Sequence, residues 1–177
     1  MDIGTYDNTA SPAPFFAIEL LVQAQDIQDR WLRCNMLANY IAEYVAYQFP
    51  EREWAENLIS TVMNEFLEAV ACLSPGRAEL ALRCTQNASN LLIEIEHSLR
   101  PDAIQPYLTF LSELSGKTID DIYFGLLTAA DRPELSFNQF GLVMLVHDFH
   151  VRIAARLDDA AGQIRIQVGV PTKEISA

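Results

Sequence analysis

The chain has 177 residues, 50% hydrophobic and 20% charged, which suits one domain of about 150 residues with short extensions. Lys and Arg number 12 against 24 Asp and Glu, a formal charge of −12. That balance excludes the basic footprint of a nucleic-acid binder and a polybasic membrane anchor. No apolar run reaches the ~20 residues of a membrane span, and no basic segment precedes an apolar one near the start. Cys34, Cys72 and Cys84 form no CxxC pair and are read as reduced, mostly buried thiols, so a cytoplasmic location is expected.

Residues 1–14, with Gly4, Pro12 and Pro14, are read as a flexible tail. Phe15 to Val22, interrupted by Glu19, reads as a strand. Asp26 is placed as the N-cap of a helix running to Phe49, on the spacing of Ile27, Trp31, Leu37, Tyr40, Ile41, Tyr44 and Val45. Pro50 ends it and opens a second helix, Glu51 to Leu73. There Leu58, Ile59, Val62, Met63, Phe66, Leu67 and Val70 share one half of the wheel, opposite Asn57, Thr61, Asn64 and Glu68. Ser74-Pro75-Gly76 is the stop.

Glu79 to Cys84 and Leu92 to Glu96 alternate as two strands of a hairpin around 86–90. A helix follows from Asp102 to Leu114, closed by Gly116. Another begins at Thr118, whose spacing to Asp121 resembles a capping box, and runs to about Ala130. Ser136 is placed as the cap of Phe137 to Phe149, a helix apolar nearly all round. Val151 to Leu157 and Gln163 to Val170 form a closing hairpin, and Pro171 ends the sheet. The expected fold is an α/β two-layer sandwich, with a mostly antiparallel mixed sheet and helices on one face. Residues 15–171 are read as one domain and 172–177 as a tail.

Four segments, in this order, resemble the GHKL ATP-binding domain of histidine kinases and anti-sigma-factor serine kinases. The helix from Leu58 to Val70 resembles the N-box helix. The strand from Leu91 to Glu96 resembles the one leading into the first glycine box. Phe140 to Val146 resembles the second glycine box with its helix, and Gly162 to Val168 the end of the closing hairpin. The likeness spans about Phe15 to Val170 and implies a Bergerat-type sheet with a nucleotide pocket between helices and sheet.

The resemblance assigns pocket positions that this chain fills differently. Glu65 matches the family's N-box carboxylate, which acts on a water or hydroxyl. The asparagine one turn later, which holds Mg²⁺ against the triphosphate, is Ala69 here. The aspartate that accepts from adenine is His97. Gln139 stands where one phosphate-cradling glycine would be, and Gly141 remains. The usual glycine-rich lid is two helices, and the only lysines are Lys117 and Lys173. Contacts to metal, adenine and phosphate are thus replaced together. The implied reading is a degenerate, pseudokinase-like domain with no cofactor.

Glu65 is the one residue matching a catalytic role. His147-Asp148-Phe149-His150 brings two imidazoles and a carboxylate close in sequence, but without the third and fourth ligands of a zinc site, so no metal is expected. His97 is read as a satisfied loop histidine. Among Trp31, Tyr40, Tyr44, Tyr47, Phe49 and Trp54, the tyrosines at 40, 44 and 47 point away from Cys34, Ala38 and Ala42 on the wheel. They form a candidate interface for a protein partner or a homodimer mate. The functional expectation is a non-catalytic regulatory domain in bacterial signalling of the partner-switching kind, which binds protein, not nucleic acid or membrane. The alternatives are an atypical ATP-dependent serine kinase using Glu65 with ATP and Mg²⁺, and a small-ligand sensor with a repurposed pocket.

Overall fold

A computed structural model describes residues 1–6, 15–116, 118–128, 137–158 and 162–176. The elements are β1 (Asp2–Ile3), β2 (Phe16–Gln23), α1 (Ala24–Gln28), α2 (Trp31–Ala46), α3 (Arg52–Leu73), β3 (Glu79–Gln86), β4 (Asn90–Ser98), α4 (Ile104–Gly116), α5 (Ile119–Thr128), α6 (Gln139–Phe149), β5 (Arg152–Asp158), β6 (Gln163–Pro171) and α7 (Thr172–Ile175).

The six strands form one sheet in the order β1-β5-β6-β4-β3-β2, and every pairing is antiparallel. Side chains alternate across a strand, so the register fixes which residues share a face. Ile18, Cys84, Ile93, Val168 and Ile153 lie side by side on one face, as do Leu20, Leu82, Ile95, Ile166 and Ala155. That face carries the helices. The other face is polar: Glu19 lies beside Arg83, Arg83 beside Glu94, and Glu94 beside Gln167. This is the α/β two-layer sandwich expected, with an antiparallel sheet.

α3 is the centre of the helical layer. It packs against α1, α2, α6 and α7 and against β4. Its buried residues, among them Leu58, Ile59, Val62, Met63, Phe66 and Leu67, join the sheet face in one hydrophobic core.

Several expectations are corrected. The single helix from Asp26 to Phe49 is two helices. Arg30, between them, is extended (φ −147°, ψ 96°), and Gln23, not Asp26, precedes the first helical residue. α1 is pinned to the turn after α3. Gln28 Nε2 donates to the carbonyls of Ala71 (2.6 Å) and Ser74 (3.1 Å), and Gln25 N–H donates to Gly76 O (2.8 Å). The chain must therefore turn at Arg30 before α2 can lie along α3. Ile27, Cys34 and Ile41 are seven apart, so their apolar phase passes through the break unchanged and periodicity cannot register it.

The expected tail of 1–14 is ordered at its start, while 7–14 lie outside the described residues. β1 pairs with β5, Ile3 is buried, and Arg156 grips Asp2 with two hydrogen bonds (3.0 and 3.2 Å). Gly4 then turns with φ +72°, where a Cβ would lie 2.8 Å from Ile153 O. The end of the chain is also no free tail. Thr172 N–H donates to Ser89 O (2.9 Å), Trp54 Nε1 donates to Glu174 O (2.8 Å), and Ile175 is fully buried in α7. The expected cap Ser136 lies outside the described residues. Asn138 caps α6, its Oδ1 accepting from Gly141 N–H at 3.1 Å.

Gly4→Ala forces an L side chain into the left-handed region and against a carbonyl. It is expected to destabilise the fold by about 1–3 kcal/mol in denaturant unfolding. Faster hydrogen exchange at the β1–β5 pairing should accompany the loss.

Candidate functional site

Glu65 lies on α3 next to fully buried residues. Met63 before it and Phe66 after it face the core, so the carboxylate is held half-buried at the edge of the apolar surface. It meets the first turn of α6. Asn138 Nδ2 donates to Glu65 Oε2 at 3.3 Å, while the other end of the same amide caps Gly141. A Cβ built on Gly141 would lie 1.9 Å from Glu65 Oε2. Glycine at this position is what lets the carboxylate approach the helix. A carboxylate at a helix N-terminus is favourably placed in the helix dipole.

Glu65 and Gly141, two positions that the resemblance assigns to one pocket, are therefore in direct contact. Burial raises the Glu65 pKa above the usual carboxylate range, and the nearby Glu68 raises it further. Burial likewise raises Glu68. Among the described residues no ion pair reaches either acid. Ala69 is fully buried in the core. It has no oxygen for a metal, and its place is taken up by packing.

His97 is elsewhere, and it is not the loop residue expected. β4 extends through it, and the alternation of Leu91, Ile93 and Ile95 carries its ring to the helix face, where it is buried. Its Nδ1 is 2.8 Å from Ser74 Oγ and 3.1 Å from Ser98 O. Ser74 Oγ already donates to Val70 O at 2.8 Å. Ser74 Oγ and the Ser98 carbonyl both therefore accept from Nδ1–H, which assigns a proton to Nδ1. Nε2 is buried without a hydrogen-bond partner. Burial, partly offset by the bond to Ser98, lowers the pKa from 6.5 to about 4. Ser74 follows Glu65 by nine residues, about 14 Å of helix rise. His97 is thus a tie between the end of α3 and β4 and does not join Glu65.

The histidines near the end of α6 part company. His147 stacks on Tyr123 (4.0 Å between centroids) and pairs with Asp148 (2.6 Å) and Asp120 (3.5 Å). His150 ends the helix in the left-handed conformation, 3.4 Å from Glu174. Among the described residues no group of three or more His, Cys, Asp or Glu could hold a metal ion. Cys34, Cys72 and Cys84 are free thiols, and burial pushes Cys34 and Cys84 up to about 12.

Tyr40, Tyr44 and Tyr47 are exposed, and Leu32 and Met36 continue their row toward the start of α2. The Arg52 guanidinium lies 3.8 Å over the Tyr47 ring, and Tyr44 meets Phe16 edge-on at 6.4 Å.

The sequence reading missed a groove of about 480 Å³ on the polar face of the sheet, lined by Glu19, Leu21, Arg83, Glu94, Glu96 and Arg165. Arg165 Nε donates to Glu96 (2.9 Å) and lies 3.7 Å from Glu94, and the Tyr6 hydroxyl donates to Glu94. The signal was the polar half of each strand alternation, whose partners only the register reveals. Comparison with known proteins returns no matching family model and no matching curated relative. Among the described residues no helix is long and apolar enough to cross a membrane.

His97 gives a pH signature. Below 6.5 the unfolded chain takes up a proton that the folded chain refuses until about 4. The stability contributed by the neutral ring is complete above pH 6.5 and is lost as pH falls toward 4, by about 3 kcal/mol in all. Glu65 and Glu68, with raised values, act in the opposite sense. The comparison that isolates the histidine is the pH profile of urea unfolding for the wild type and His97→Gln. The variant's profile should be flatter between pH 6.5 and 4.

Proposed function

We propose that the chain is a non-catalytic regulatory domain that acts by binding protein, in bacterial signalling of the partner-switching kind. On this reading it keeps a GHKL-like scaffold and has given up nucleotide chemistry. The observation that carries the reading is the Glu65 carboxylate seated against Gly141, where a phosphate cradle needs open backbone N–H groups. A triphosphate entering there would meet Glu65 and Glu68 instead of positive charge. Ala69 and His97, the other two positions, are spent on packing and on the Ser74 tie. The three free thiols fit a reducing, cytoplasmic location.

One observation favours the kinase reading. Glu65 is a half-buried acid with a raised pKa, the profile of a general base. Calorimetric titration with ATP and Mg²⁺ separates the two. The expected result is no binding heat for the wild type. Micromolar binding that a chelator or Glu65→Ala abolishes would overturn the regulatory reading in favour of a nucleotide-dependent one.

A further inference from the structure

The inner face of α2 is built from small and branched residues, Cys34, Ala38, Ile41, Ala42 and Val45, all fully buried. Ala46 is fully buried with them, and Leu37 packs against the same core. The outer face nonetheless carries Leu32, Met36, Tyr40, Tyr44 and Tyr47, each 52–67% exposed. Steps of four, four, four and three keep them in one row along the helix. Five large side chains exposed to this degree present on the order of 500 Å². A standard specific interface takes roughly 800 Å² per partner, of which a polar rim supplies part.

The charges on α2 say what lies on this row. Arg33 is the only base in the helix and Glu43 the only acid. Arg33 stands in the first turn, near the positive end of the helix dipole, where a base is unfavourable. A second α2 running antiparallel across the outer face, about a two-fold axis at the height of residue 38 along the helix, brings residue i opposite the residue whose number sums with it to about 76. In that one register Arg33 faces Glu43 of the second copy, Leu32 faces Tyr44, and Met36 faces Tyr40. Leu32, Met36, Tyr40 and Tyr44 each meet another of these four, aliphatic against aromatic, and the acidic end of each helix lies beside the basic end of the other. The existing partners do not compete strongly. The Arg33–Asp26 pair and the Glu43–Arg52 pair (3.8 Å) are both exposed, and such pairs stabilise by little.

We propose that this chain forms a two-fold dimer through the outer face of α2, with two α2 helices packed antiparallel around Met36 and Tyr40. The proposal rests on the protein-binding reading and names the occupant of one surface as a second copy. An isologous contact of this kind closes on itself and leaves the polar sheet face available.

The test is mass in solution by sedimentation across a hundredfold concentration series. The wild type is expected at twice the chain mass. Met36→Glu and Tyr40→Glu are expected to shift it to the monomer mass, with an unchanged far-UV circular dichroism spectrum and a cooperative thermal unfolding whose midpoint no longer depends on concentration. Arg33→Glu and Glu43→Arg, each alone, should weaken the dimer at least tenfold, and the two together should restore most of the loss.

A wild type that stays monomeric overturns the proposal, as does a dimer indifferent to Met36→Glu and Tyr40→Glu. A double charge reversal no better than the single ones overturns the antiparallel register. A monomer that binds a different protein through this row overturns the second copy as occupant while leaving the protein-binding reading intact. ATP binding in the titration above would do the reverse.

Discussion

The buried residues of α3 spread over roughly 220° of its circumference at about 100° per residue, and this breadth dictates the arrangement of everything around it. The sheet can cover only one side. Each large side chain in this set stabilises by about 1.5–3 kcal/mol when fully buried, so leaving the second side in water is not competitive. α2 provides the second cover. Its inner residues are mostly small, which lets two helices approach closely without strain. α2 therefore lies along α3 in the helical layer, with Tyr44 reaching Phe16 of β2, and keeps its other face turned outward.

The same breadth explains the fate of the polar groups on α3. A helix buried this widely has only narrow margins where a polar side chain can sit. Glu65 and Glu68 occupy one margin and are raised by burial. Glu65 is tolerated because Asn138 donates to it and the first turn of α6 faces it. At the end of the helix, Ser74 and His97 solve a similar problem without charge. The ring stays neutral, donates from Nδ1 and gives up the hydrogen bond at Nε2. One margin therefore keeps its charge beside a helix end, and the other discards it.

Most of the fold was legible because strands with one buried face alternate and helices around a core repeat every three or four residues. What escaped was what period alone cannot express. β1 is two residues long, too short for any pattern, and is held by Arg156 and the Gly4 turn. The break at Arg30 hides inside an unbroken heptad phase. α7 rests on the burial of Ile175, a single residue in a segment that reads as a tail. Of the candidate site, the exposure of Tyr40, Tyr44 and Tyr47 was readable on the wheel. The Glu65–Gly141 contact joins residues 76 apart, and only the resemblance put them together. His97 could have been placed inside by extending the alternation of Ile93 and Ile95 by one more step. The pairing of Glu94 and Glu96 with Arg165 depends on the β4–β6 register, which no single strand encodes.

The two outward surfaces differ in what they have left to offer a partner. On the polar sheet face the charges already have partners within the chain. Glu19 lies 3.4 Å from Arg83, Arg165 holds Glu96, Arg156 holds Asp2, and Tyr6 covers Glu94. A partner there must break or share those contacts, and its gain is the difference between two sets of similar bonds. On the α2 row the partners within the chain are ring contacts, Arg52 over Tyr47 and Phe16 against Tyr44, and Leu32, Met36 and Tyr40 stand exposed beside them. The row's apolar area is in water in the isolated chain, and covering it removes that area from water outright. A net charge of −12 opposes association in general, since like-charged chains repel. An antiparallel helix pair reduces that penalty locally, because it sets the base of each helix against the acid of the other. The surface best able to overcome the chain's own acidity is thus the one where apolar area and opposite charge coincide.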